Sequence, residues 1–161
     1  MKLLPIPALT DNYIWLLADE HHALVVDPGE STPVERILYQ ENLELTAILL
    51  THHHADHIAG ALPLAQQFHV PIYAPDDQRI LSATHHVHNG DRLVFDLPKI
   101  EFEVIAIPGH TLSHVAFYGN GILFCGDTLF GLGCGRLFEG TPAQMLFSLD
   151  RRCQLPCVAY V

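Results

Sequence analysis

Short apolar runs closed by turn residues dominate the first third of the chain. Runs at residues 2–6, 12–17 and 23–26 read as strands in an antiparallel start, and the third runs into the turn "DPG" at residues 27–29. Ser31 and Thr32 then offer a cap and Pro33 an N1 proline, so the spacing predicts a helix over residues 34–40 with Val34, Ile37 and Leu38 on one face. A strand over residues 46–50 follows and ends directly at "THHHADH", residues 51–57. Beyond it "IAGALPLAQQF" returns to helical spacing despite Pro63, and residues 70–74 read as another buried strand. Strand, polar loop, helix, strand is the logic of a βαβ unit.

From residue 92 the pattern turns to strands, at 92–95, 100–107, 113–118 and 122–125, separated by "DLPK", "PGHT" and "GNG". The loops "PGHTLSH" and "CGDT" sit at the ends of these strands. A glycine-rich segment, "FGLGCGRLFEG", leads to Thr141 as an N-cap, Pro142 at N1 and a helix near residues 143–149. No repeat, linker or low-complexity tract interrupts the pattern, and the fold class read from it is α+β.

With 161 residues the chain is sized for a single domain. Hydrophobic residues make up 49% and charged residues 16%, with a mean hydropathy of +0.22, the balance of a globular protein with a large buried fraction. No apolar run is long enough to span a bilayer, and Pro5, Pro7, Asp11 and Asn12 break the N-terminal run before a signal-peptide core forms, so the expected location is the cytoplasm without a membrane partner. The net charge of −10, with only eight scattered Lys and Arg, argues against nucleic acid. Cys125, Cys134, Cys153 and Cys157 lack metal-knuckle spacing and read as small buried residues in a reducing compartment.

The chemistry concentrates in "THHHADH". His52 and His54, two apart, can converge on one metal from a loop, while the adjacent Asp56 and His57 can face a second. His110 lies in a Pro-Gly turn after a strand, and Asp127 just after another, where a carboxylate can bridge two ions. Mixed imidazole and carboxylate ligation favours zinc, with iron or manganese also compatible. The remaining histidines have plainer readings: His21–His22 and those within 84–88 as solvated or turn residues, His53 likewise, and His69 as a helix-end residue favoured by the dipole. Asp27 reads as a hydrogen-bonding buttress of the ligand loop.

"THHHADH", "PGHT" and "FCGDTLF" resemble the metallo-β-lactamase superfamily. With "DNYIW", "VVDPG" and "GCGRLFEGTPAQM" added, the whole chain resembles the glyoxalase II (hydroxyacylglutathione hydrolase) family. That resemblance implies an αββα sandwich with the metals at one edge of two sheets. It implies two Zn²⁺ per subunit, the first held by His52, His54 and His110, the second by Asp56 and His57, with Asp127 bridging. The implied reaction is hydrolysis of S-lactoylglutathione to D-lactate and glutathione, in methylglyoxal detoxification, by a water activated between the ions and oriented by Asp56. Arg136, Leu137 and Phe138 would line the glutathione site of a monomeric enzyme. The family's second metal takes a further histidine, whereas this sequence has none after His114. The expectation is therefore one metallo-β-lactamase domain over residues 1–161, truncated at its C-terminal end, with the helical glutathione-binding domain absent. Other readings of the same residues are a persulfide dioxygenase, a lactonase, or an inactive metal-binding fragment.

Overall fold

The computed structural model describes residues 1–153, 155–156 and 159–161. Strands β1 (Lys2–Ala8), β2 (Asn12–Ala18) and β3 (His22–Val26) form the antiparallel start. Helix α1 (Thr32–Glu41) crosses to β4 (Glu44–Leu49), which lies parallel to β3. The polar loop then leads into α2 (Ala55–Ile58), α3 (Ala61–Phe68) and the parallel strand β5 (Ile72–Pro75), followed by β6 (His85–Val87). These six strands form one sheet in the order β1-β2-β3-β4-β5-β6.

A second sheet holds β7 (Arg92–Asp96), β8 (Lys99–Ala106), β9 (Val115–Gly119), β10 (Ile122–Phe124) and, in parallel on its far edge, β13 (Ala159–Tyr160). Between β10 and β13 lie a 3-10 turn (Gly126–Thr128), the ribbon β11 (Leu129–Phe130) and β12 (Gly133–Cys134), and helix α4 (Pro142–Cys153).

Side-chain alternation explains the layering. Along β2, β3 and β4, Ile14, Leu16, Val25 and Ile48 turn to one face, where Val34 and Leu38 of α1 and Ala61 and Leu64 of α3 cover them. Leu17, Leu24, Val26, Ala47 and Leu49 turn to the other and meet Phe102, Val104, Phe117 and Phe124 of the second sheet. Strands buried on both faces read as continuous apolar runs, which is why "ALVV" and "AILL" show no alternation. Each fully buried phenylalanine here contributes on the order of 2–3 kcal/mol of transfer free energy. On the far side of the second sheet α4 closes the αββα order, its Ser148 Oγ donating to Pro108 O at 2.7 Å.

Several local expectations need correction. Ser31 precedes α1 without a side-chain capping bond. The segment read as one helix after the histidines breaks into α2 and α3. Histidines 85 and 86, read as solvated or turn residues, are exposed, but they lie in strand β6 and not in a turn, because their ladder bonds to β5 outweigh the polar composition. His69 does sit at the helix end, as the left-handed C-cap of α3 with φ of 56°. Cys125 is buried as expected, but Cys134 is exposed on the ribbon. The side chain of Cys153 and all of Cys157 lie outside what is described.

Candidate metal centre

Four strand ends deliver the site to one edge of the sandwich. β3 ends at Asp27, β4 at Thr51–His54, β8 at the loop carrying His110, and β10 at the 3-10 turn carrying Asp127. The ligand loop is fixed from behind. Thr51 donates both its backbone N–H, at 2.7 Å, and its hydroxyl, at 2.6 Å, to the Asp27 carboxylate, and His57 Nδ1 donates to the same carboxylate at 3.0 Å. Asp27 is thus the buttress that its position after "VV" suggested, and its left-handed φ of 51° is part of the turn that aims it.

Hydrogen bonding then sets the histidine tautomers. Because the Thr51 hydroxyl proton goes to Asp27, its oxygen accepts from His52 Nδ1 at 3.0 Å, which leaves His52 Nε2 a bare lone pair. His110 Nδ1 donates to the Arg136 carbonyl at 2.6 Å, so its Nε2 is bare too, 2.9 Å from His54 Nδ1. His52 Nε2 is buried with no partner. Donor atoms of His52, His54, His110 and Asp127 all lie within 4.8 Å of one another. A buried lone pair without a proton donor, in a shell of imidazoles around a carboxylate, is the arrangement a metal cation satisfies.

Asp127 faces both halves of the cluster. Its Oδ2 lies 3.2 Å from His110 Nε2 and its Oδ1 3.1 Å from His57 Nε2. Gly126 makes this approach feasible: its φ is +46°, and a Cβ there would fall 2.5 Å from Thr51 Oγ1 and 2.9 Å from His114 Cε1. Asp56 stands apart. It joins no group of three close donors among the described residues, though its Oδ2 is 3.5 Å from His57 Nε2.

The electrostatics divide the histidines. Burial, with the neighbouring His114 and His57, pushes His52 far below the ordinary imidazole range. Burial also lowers His54, with His110 adding to it, and brings His114 down to about 3. His57 goes the other way: burial alone would lower it, but the Asp127 and Asp27 carboxylates outweigh that and raise it to about 10. Asp127 is lowered despite its burial, chiefly by His57.

Arg136 and Phe138 border the cluster, while Leu137 between them is exposed. The Phe138 ring meets His54 and His110 edge to face, at centroid distances of 5.2 and 5.3 Å, and the Arg136 guanidinium lies 5.6 Å over Phe138. His53, expected to be solvated, is only 12% exposed. It lies 3.5 Å from Asp77 Oδ2 and 3.7 Å from Glu139 Oε1, within a network in which Arg79 binds both carboxylates and Ser113 Oγ donates to Asp77 at 2.6 Å. Glu139 in turn accepts from Leu112 N–H at 2.8 Å. Sequence reading missed this network, because its members are scattered from residue 53 to 139 with no local motif. It also missed His114, whose ring stacks on His52 at 4.6 Å and 14°. The signal for His114 was its place in "PGHTLSH".

The family model described as "Metallo-beta-lactamase superfamily" matches residues 9–154. The chain belongs to the metallo-β-lactamase superfamily. Within that superfamily it is 53% identical, over 97% of its length, to a hydroxyacylglutathione hydrolase of Yersinia enterocolitica. It spans only 60–63% of the length of the most similar curated relatives. Among solved metallo-β-lactamase folds it is similar to the BLEG-1 B3 metallo-β-lactamase, with a TM-score of 0.84, 26% identity, and coverage of 94% of this chain and 85% of that one. It is also similar to TTHA1623, solved in a di-iron-bound form, with a TM-score of 0.77, 29% identity and coverage of 95% and 87%.

Proposed function

We propose that this superfamily member is a metal-dependent thioesterase of the glyoxalase II kind, hydrolysing S-(2-hydroxyacyl)glutathione, such as S-lactoylglutathione, to D-lactate and glutathione. The observation that carries the reading is the placement of the Asp127 carboxylate, one oxygen toward His110 and the other toward His57. In this assignment His52, His54 and His110 would hold a first Zn²⁺, Asp56 and His57 a second, and Asp127 would be shared between them. The curated relatives' names support the substrate class.

Bound cations at these positions would supply an activated water and polarise the thioester carbonyl. The chain's own residues do the rest. Asp27 keeps the Thr51–His57 loop from relaxing. The Arg136 carbonyl holds His110 in one tautomer. Asp56, its side chain 45% exposed in the cleft, would orient the attacking water. Phe138 shields one side of the cluster from solvent, and the Arg136 guanidinium complements a glutathione carboxylate. As water adds to the carbonyl carbon the C–S bond breaks, and the thiolate leaves to take up a proton as glutathione. The proposed setting is a monomer in the cytoplasm; no helix among the described residues is long and apolar enough to cross a membrane.

The test is hydrolysis by the zinc-loaded chain of S-lactoylglutathione against the same acyl group on N-acetylcysteamine. The expected result is turnover that favours the glutathione ester and disappears on chelation. Equal rates for both esters would remove the substrate assignment. A rate no higher than that of the metal-free chain would remove the thioesterase reading.

A further inference from the structure

The second metal position has a weak point in its geometry. Asp56 sits on α2, whose backbone is well held: a Cβ at Gly29 would fall 2.0 Å from the Asp56 carbonyl oxygen, so the "DPG" turn packs directly against it. Its side chain, by contrast, is 45% exposed, and a carboxylate on a two-torsion stem is free to swing into solvent unless something holds it. What holds it comes from the other end of the sequence. Asn12 Nδ2 donates to Asp56 Oδ2 at 2.9 Å.

Asn12 is itself well anchored. It is the first residue of β2 and pairs with Ala8 across the β1–β2 hairpin. The hairpin tip is tied down by Leu9, left-handed at φ of 52°, whose N–H donates to Glu30 Oε2 at 2.6 Å. Asn12, Asp56, His57 and Asp127 line one cleft of about 820 Å³.

We infer that Asn12 is a positioning residue for the second metal position, presenting the Asp56 carboxylate toward His57. The inference rests on the proposed role of Asp56 as a ligand. The chemistry of the side chain fits the task. A lysine or arginine could make the same hydrogen bond but would place a full positive charge beside a cation, whereas a carboxamide donates without charge. The bond from Asn12 occupies one lone pair of Asp56 Oδ2, the oxygen that lies 3.5 Å from His57 Nε2, and leaves that oxygen's other lone pair for coordination.

The experiment is a Zn²⁺ competition titration of the full chain against a chromophoric chelator, in wild type, Asn12→Ala, the near-isosteric Asn12→Leu, and Asp56→Ala. The expected result is site-selective. Both Asn12 variants weaken the lower-affinity zinc equivalent by about tenfold, the scale on which outer hydrogen-bond partners act, and leave the tighter equivalent and the metal-free melting temperature unchanged. Asp56→Ala weakens the same equivalent further. The inference is overturned if Asp56→Ala weakens that equivalent while neither Asn12 variant does. It is equally overturned if the Asn12 variants weaken both equivalents together and lower the metal-free melting temperature, which marks a purely structural role. If Asp56→Ala leaves both equivalents intact, the ligand assignment itself fails and the role of Asn12 falls with it.

Discussion

His53 and His110 show how much a single residue's environment decides. Both are histidines in ligand-rich loops, yet His110 has its Nδ1 spoken for by a carbonyl and its Nε2 aimed at the cluster, while His53 points into the Asp77, Arg79 and Glu139 charges. His110→Ala is therefore expected to weaken zinc binding by at least about tenfold and His53→Ala by less than about twofold; equal losses in elemental analysis after dialysis would refute the assignment. His57 yields a pH prediction. Its folded value is raised from 6.5 to about 10, so in the metal-free chain the ion pair it makes with Asp27 and Asp127 is fully present below 6.5 and is lost as pH rises through about 10. A cation binding His57 must displace that proton. Zinc uptake at neutral pH should therefore release one proton at this residue, and its affinity should rise with pH up to about 10, as calorimetry in buffers of different ionisation enthalpy would reveal. Uptake whose heat is independent of the buffer would contradict it.

Among the elements, α4 gives the cleanest test. The sequence places Thr141 as its N-cap, and the structure adds the reciprocal partner: Gln144 N–H donates to Thr141 Oγ1 at 3.2 Å while Thr141 N–H donates to Gln144 Oε1 at 2.8 Å. This is a capping box. Thr141→Ala should lower stability by about 1 kcal/mol in urea unfolding, and an unchanged midpoint would show that the helix end is held by packing instead. Strands were legible wherever apolar residues formed runs or alternated, as in β2, β4 and β8. The short β6 was not, because its HHV sequence takes strand form only through pairing with β5. The break between α2 and α3 was hidden for a related reason. Gly60 N–H bonds to Pro28 O at 2.8 Å, a long-range contact that no local spacing announces.

For the molecule as a whole, the motifs at residues 51–57, 108–111 and 125–128 carried the site, because each ends a strand and the sheet order brings those ends together. The supporting residues were less visible. Asn12 lies 44 positions from Asp56, and Arg79 lies 60 from Glu139, separations that only the assembled sandwich closes. In the proposed function this sandwich edge binds zinc and uses it on a thioester. The most direct test of that proposal is to strip the chain of metal, add Zn²⁺ stepwise, and follow loss of S-lactoylglutathione absorbance beside His110→Ala. Turnover should rise with added zinc in the wild type, vanish with chelator, and stay at background in the variant. A folded, zinc-loaded wild-type chain that hydrolyses the ester no faster than zinc in buffer would contradict the account.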